Sequence, residues 1–313
     1  MSAAGAPELS VILATDHYGS IRRTVRHVLA QTALDRIEAV FVAPSREALA
    51  ADDRELAGFR HLKIVETGAA ATLPEARAHG IRAATAPVVV LTETHAFPHS
   101  DWAEALIEAH RRPWAAVGPV LANGNPETML SWAALLIAYG QWTEGARGGI
   151  VDDVPGHNSA YKRDLLLEYG DRLAEMIEAE ARLHRELRAD GHQLYLEPGA
   201  KIDHVNVSRP ASFYAVRYHS GRLFGAARAA GWPAPRKLAY ALAAPLIVAV
   251  RMRRFVSDLR RPGAPAGLLP RVLPALLLGV VISSYGEAVG ALAGAGSSTH
   301  GREDMELHRE EHS

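Results

Sequence analysis

Between residues 9 and 120, short and solidly apolar runs alternate with helical patterns, and no other property of the sequence restricts the fold as strongly. The strand candidates are 9–14, 37–42, 62–65, 88–91 and 115–120, with helices fitting between them at 20–31, 46–57, 73–84 and 101–110. A strand that is apolar throughout must be covered on both faces, and one that returns through a helix runs parallel to its predecessor. The pattern therefore predicts an α/β domain, a mostly parallel sheet covered by helices. In open sheets of this kind ligands bind at the carbonyl ends of the strands. At 313 residues the chain can bury a substantial core, in one large domain or two smaller ones.

The segment 86–102, APVVVLTETHAFPHSDW, stands out within that frame. Its apolar run ends abruptly in Glu93-Thr94-His95. A carboxylate and an imidazole two residues apart, just past the end of a buried strand, can converge on one cation. The plain alternative is a polar loop that merely leaves the sheet. A helical segment further along carries a second unusual carboxylate. With Leu173 as reference and about 100° per residue, Met176, Ile177, Leu183 and Leu187 form an apolar stripe. Glu180 and His184 fall inside that stripe, while Glu175, Glu178, Arg182, Arg185 and Glu186 face the other way. A carboxylate on a buried face is costly unless it is paired or functional. Glu180 is therefore a general-base candidate, and a Glu180–His184 pair that only stabilises the helix is its alternative. A net charge of −1 gives no electrostatic footprint for nucleic acid, and the absence of Cys rules out disulfides and thiolate metal sites.

Five elements occur in a fixed order. The first strand runs into Ala14-Thr15-Asp16-His17, and a helix carries Ala76-Arg77-Ala78-His79-Gly80-Ile81. Glu93-Thr94-His95 is followed by Pro98, Asp101 and Trp102. Gly156-His157-Asn158-Ser159-Ala160-Tyr161-Lys162-Arg163 comes next, and the helix holding Glu180 ends in Arg188-Ala189-Asp190-Gly191. Over roughly residues 8 to 230 the chain thereby resembles the family-two glycosyltransferases, which have the GT-A fold, a Rossmann-like sheet. The matching family motifs are the P-T-Y-N strand end, the ARNxGI element, the D-x-D motif, the GxN-x-AxxR loop and the ED…RAG helix.

The resemblance implies a nucleotide-sugar donor held through Thr15, Asp16, Arg77 and Glu93, and a divalent cation on Glu93, His95 and His204. It implies an acceptor bound by Asn158, Arg163 and Trp102, and Glu180 as the base of an inverting displacement, in register with the Asp of the ED pair. Oxygen and imidazole ligands together suit Mn²⁺ better than Mg²⁺. By the residues alone, Arg77 as a helix-face charge and His204 as a structural histidine stay open. Three departures from the family pattern stand out. The strand 37–42 runs into Ala43-Pro44-Ser45 where the family has a nucleoside-binding Asp, the D-x-D is Glu-Thr-His, and the ED pair is Ala179-Glu180. They motivate a second reading, a non-catalytic GT-A domain that binds glycan or nucleotide and scaffolds a membrane assembly. A sugar nucleotidyltransferase would need a Gly-rich, basic loop after the first strand, which 14–19 does not supply.

The C-terminal part changes character. Residues 238–250 are apolar throughout and are followed by Arg251, Arg253, Arg254, Arg260 and Arg261. After a Pro/Gly linker at 262–267, a second apolar block, 268–285, is broken by Arg271 and Pro274. Each is short or interrupted against the roughly 20 residues of a membrane-spanning helix, and both are too apolar for an ordinary surface. Adjacent basic residues favour anionic headgroups. The expectation is a monotopic or re-entrant region at the cytoplasmic face of the cell membrane, and the alternative is a helical pair buried on the catalytic domain. An apolar helix at 127–142, with Trp132 and Trp142 near its ends, reads as core, or as a floor beneath an acceptor or a membrane contact. Residues 1–8 lack the pattern of a secretory signal. The expected organisation is a flexible N-terminus (1–8), a GT-A domain (9–230), a membrane-associated region (231–296) and a disordered tail (297–313). A lipid-linked or envelope glycan, as in polysaccharide biosynthesis, is then the expected acceptor.

Overall fold

A computed structural model of the chain describes residues 5–69, 71–260, 266–298, 305 and 307–313. The first half runs β1 (Leu9–Ala14), α1 (Tyr18–Leu29), β2 (Ile37–Ala43), α2 (Arg46–Leu49), α3 (Asp53–Leu56), β3 (His61–Glu66), α4 (Leu73–Ala83), β4 (Val88–Leu91), β5 (Ala96–Pro98) and α5 (Trp102–Ala109). There follow β6 (Ala116–Asn123), α6 (Met129–Tyr139), β7 (Gly149–Val151), β8 (Ala160–Lys162), α7 (Arg163–Leu167), α8 (Leu173–Glu178), α9 (Glu180–Ala189) and β9 (Leu194–His204). Four helices close the chain, α10 (Pro210–Arg228), α11 (Ala234–Leu242), α12 (Ala244–Asp258) and α13 (Leu268–Ala293).

The strands form one sheet in the order β3-β2-β1-β4-β8-β6-β9-β5, with β7 on β9. The half from β3 to β4 is parallel, as the helical returns require. The other half is not. β8 runs antiparallel to both β4 and β6, and β7 antiparallel to β9. The run at 115–120 therefore keeps the direction of β1–β4 but does not pair with them, because the short antiparallel β8 is inserted between β4 and β6. The helix expected at 46–57 is two short ones, since Ala50 adopts the left-handed region (φ 49°) and Asp52 caps a new start. Likewise Ala179 (φ −94°, ψ 52°) separates α8 from α9, so the segment carrying Glu180 is not one continuous helix.

The chain divides into two compact units, one of residues up to 122 with 146–203, the other of 123–145 with 204–313, where the sequence suggests a boundary at 230. In the first unit the sheet has a core on each face. Leu13, Phe41, Trp102 and Leu106 lie on one side and Ile12, Val42, Ile81, Tyr161 and Met176 on the other. Alternation along β1 sends Leu13 to one core and Ile12 to the other.

In the second unit α6, α10, α12 and α13 pack around Ala133, Leu136, Phe213, Phe255, Val272 and Leu276, while α11 lies against α13 and buries no residue. The block beginning at 268 is not interrupted. Pro274 lies inside α13, where the hydrogen bond it forgoes would be to Pro270 in the first turn, so the helix continues for 26 residues. Among the described residues it is the one helix long and apolar enough to cross a membrane. The run 238–250 breaks at Ala243, and Pro245 is accommodated in the first turn of α12. Gly221 and Gly225 of α10 lie against the carbonyls of Ser283 and Glu287, and Gly286 and Gly290 of α13 against those of Tyr218 and Arg222, so that no Cβ fits along this seam. Mid-helix Glu287 is 2% exposed and is held by Arg251 and by the Tyr240 hydroxyl at 2.8 Å. Apolar side chains are left bare at Leu238 and Leu242 of α11 and at Leu246 and Val250 of α12, spaced four residues apart in sequence and 52–72% exposed.

Part of the tail expected to be disordered has described structure. Arg309–His312 form a 3-10 turn, and the His312 carbonyl accepts from the backbone N–H groups of Ser208 and Arg209. Residues 299–304 and 306 of that tail, Arg261 and most of the linker (262–265), and residues 1–4 of the expected flexible N-terminus lie outside the described residues.

Candidate active site

Glu93, Thr94 and His95 form the turn that leaves β4 at its carbonyl end, closed by a hydrogen bond from Ala96 N to Glu93 O of 3.3 Å. All three are buried. His95 Nε2 lies 3.9 Å from Glu93 Oε2, so the carboxylate and the imidazole do converge. The antiparallel register of β4 on β8, with Val90 opposite Ala160, brings the turn before β8 over the residues that follow β4. Asn158, fully buried, donates from Nδ2 to Glu93 Oε2 at 2.5 Å, and His157 Nδ1 stands 3.9 Å from Glu93 Oε1.

The same turn reaches the second carboxylate. His157 Nε2 is 2.7 Å from Glu180 Oε1. Glu180 opens α9, where the helix dipole favours negative charge, and its side chain is half-buried, while Glu178 is exposed. A Cβ on Gly156 would overlap the Glu180 carboxylate, so any side chain there would displace that carboxylate. The partner of Glu180 is thus His157. His184 is engaged elsewhere, with Nδ1 bonded to Asp153 and Nε2 2.8 Å from the Tyr161 hydroxyl, which also reaches Gly156 O at 3.2 Å. Burial, with the nearby charges of Glu180 and Asp153, pushes the Tyr161 phenol well above its ordinary pKa and keeps it neutral.

At the neighbouring strand ends, Thr15 is buried past β1, its N–H donating to Val42 O at 2.9 Å, and Asp16 accepts from His17 N at 2.9 Å. Past β2, Ser45 caps α2 by accepting from Ala48 N at 3.0 Å. Arg77 is buried on α4, 5% exposed, which removes the reading of it as an ordinary helix-face charge. His204 ends β9 and belongs to the second unit. There Asn206 Oδ1 accepts from Nδ1 at 2.9 Å, and Asn206 Nδ2 donates to the His204 carbonyl and to Asn123. These bonds fix the amide orientation, put the ring proton on Nδ1 and leave the lone pair on Nε2, the arrangement of a metal-binding histidine.

A family model for glycosyl transferase family 2 matches residues 10–170, the span that carries β1, Glu93, His95 and Asn158. The chain belongs to glycosyl transferase family 2. No curated protein sequence matches it. Among solved structures it is similar to the mannosyltransferase PcManGT from Pyrobaculum calidifontis, a complex with GDP-Man and Mn²⁺, at 18% identity and a TM-score of 0.52, over 97% of this chain and 88% of that one. It is also similar to GalNAc-T7 with UDP, GalNAc and Mn²⁺, at 15% identity and a TM-score of 0.46, over 68% of this chain. It spans 47% of that chain's length. The fold of this family 2 member is therefore GT-A, and its sheet carries the altered motif at the β4 end.

Two residues matched to the family's acceptor side are occupied elsewhere. Arg163 donates to the carbonyls of Ile81 and Arg82 at 3.0 Å each, capping α4, and Trp102 is fully buried in the core. His157 and Asp153 carry site contacts that the sequence reading passed over. The signal for His157 was its place between Gly156 and Asn158, readable only with the β4–β8 register in hand.

Proposed function

We propose that this family 2 member transfers a sugar, with inversion, from a nucleotide-sugar donor to a hydroxyl of a lipid-linked or envelope glycan. The observation that carries this reading is the continuous chain of side chains Asn158–Glu93–His157–Glu180, which sets two carboxylates at the carbonyl edge of the sheet. Glu93 and His95 offer the donor set of a divalent cation. Mn²⁺ or Mg²⁺ bound there would supply positive charge to the departing diphosphate. Thr15, Asp16 and buried Arg77 hold the donor, a guanidinium being suited to phosphate oxygens. Glu180 takes the proton of the acceptor hydroxyl while that oxygen bonds the anomeric carbon. The anomeric carbon–diphosphate bond breaks, and its electron pair leaves on the diphosphate.

The second unit supports a place at the cytoplasmic face of a membrane. Residues 205–302 hold thirteen Arg and Lys against two acids, Asp258 and Glu287, whereas residues 1–204 hold 20 against 28. Both of those acids are buried. A basic segment with bare apolar side chains suits anionic headgroups.

The second reading, a binding domain without activity, is favoured by the end of β2, where Ser45 is spent on a helix cap and no carboxylate follows Ala43. A thermal-shift panel of UDP-, GDP-, dTDP- and CMP-sugars, with and without Mn²⁺, followed by nucleotide-release assays, decides between the two. Metal-dependent stabilisation by one nucleotide sugar, with turnover, supports the transferase. Stabilisation without turnover supports the binding domain, and no stabilisation overturns both. In the same assays His95→Ala should lower turnover and weaken the response to Mn²⁺, and unchanged kinetics would remove the cation site.

A further inference from the structure

The mechanism above gives work to Glu180 and Glu93 and none to the imidazole between them. His157 is 8% exposed, with Nε2 2.7 Å from Glu180 Oε1 and Nδ1 3.9 Å from Glu93 Oε1. Glu180 opens its helix and is only half-buried, so packing alone does not fix its three side-chain torsions. A base works only when held within a fraction of an ångström of its productive position.

The turn that carries His157 is itself held at several points. Ser159 Oγ donates to Pro155 O at 2.7 Å, Asn158 donates to Glu93, and the Tyr161 hydroxyl reaches Gly156 O. Asp153 and His184 hold that tyrosine in turn. The imidazole is therefore held on the sheet through its turn, and the carboxylate of Glu180, the first residue of α9, lies against it. On the other side of the carboxylate, Oε2 lies over the bare backbone of Gly156.

We propose that His157 is the positioning residue of the base: its Nε2–H holds Oε1 of Glu180, so that Oε2 takes the acceptor proton in register with Glu93. The proposal rests on the reading of Glu180 as base. His157 gives up no proton in the step. It donates one hydrogen bond before and after the acceptor proton reaches Oε2, and the sugar and diphosphate balance is that already written.

Three substitutions separate the two contacts of the ring. In His157→Gln the amide nitrogen falls near the place of Nε2, in His157→Asn near that of Nδ1, and His157→Phe keeps the ring volume with neither. With the nucleotide sugar that stabilises the full chain most strongly, kcat for nucleotide release should fall about 10- to 100-fold in the Asn and Phe variants. It should largely recover in the Gln variant, with KM for the nucleotide sugar and calorimetric Mn²⁺ affinity unchanged throughout. Equal losses in the Gln and Asn variants, a loss carried by KM, or no loss in any of them would overturn the proposal. A readout independent of turnover, and of any folding defect at position 157, is the side-chain ¹⁵N–¹H spectrum of His157. A hydrogen-bonded Nε2 proton should be present in the parent and in Glu178→Gln, and should shift in Glu180→Gln. An unmoved or absent proton overturns the proposal as well. A fully active Glu180→Gln would remove the base reading and this proposal together. An inactive Glu180→Gln beside fully active His157 variants would leave the base in place and remove His157 alone.

Discussion

Glu178 ends α8 in solvent, and Glu180, two positions later, opens α9 against His157. Glu180→Gln keeps the shape and removes the proton-accepting charge, so turnover should fall by about two to four powers of ten while nucleotide affinity persists. Glu178→Gln should leave both unchanged, and parallel kinetics of the two variants check the assignment. Gly156→Ala is a subtler probe. It deletes no chemical group but fills the space against the Glu180 carboxylate, and should cut kcat with little change in donor KM. The inward phase of Glu180 could be read from the spacing of its apolar neighbours. Its partner could not, because the phase argument assumed one helix through Ala179 and offered His184, which Asp153 and Tyr161 already hold. His110, buried after α5, bears on stability. Burial and the charge of Lys162 push its pKa down to about 3. Below about pH 6.5 the unfolded chain binds a proton that the folded chain refuses until about pH 3. The stabilisation is thus complete above pH 6.5 and is lost as the pH falls through that window. Urea denaturation at pH 7 and 4.5 should show a smaller loss for His110→Gln than for the parent.

At the scale of elements, the parallel half of the sheet was legible because buried runs and amphipathic helices alternate there with short connections. The insertion of antiparallel β8 between β4 and β6 was not, since neighbours in that half come from distant sequence and periodicity does not say which strand pairs with which. The second apolar block was legible as apolar, but its length was hidden by a proline that falls early enough in α13 to be tolerated. The glycines of α10 and α13 give their spacing away only once the helices are paired. Gly225→Val places a branched side chain against the Glu287 carbonyl. The seam must open, at a cost of about 1–3 kcal/mol for overpacking. A lowered Tm in calorimetry, with the nucleotide response of the first unit retained, is the expected outcome.

Over the whole molecule, composition conceals more than it reveals. A net charge of −1 is the sum of a basic stretch at 205–302 and an acidic remainder. Vesicles containing an anionic lipid should carry the full chain in flotation at low salt, and neutral vesicles should carry less. Leu242→Asp with Leu246→Asp, at two of the bare apolar positions, should abolish the difference; full flotation of that double variant would place the lipid contact elsewhere. The charge division has a colloidal consequence as well. Near neutral pH, molecules of almost no net charge that carry one basic and one acidic segment attract one another over distances that salt controls, the Debye length being about 30 Å at 0.01 M and about 8 Å at 0.15 M. The osmotic second virial coefficient should accordingly be negative in dilute buffer and climb as salt is added. For this chain, dilution of the buffer should therefore favour precipitation, and added salt should oppose it.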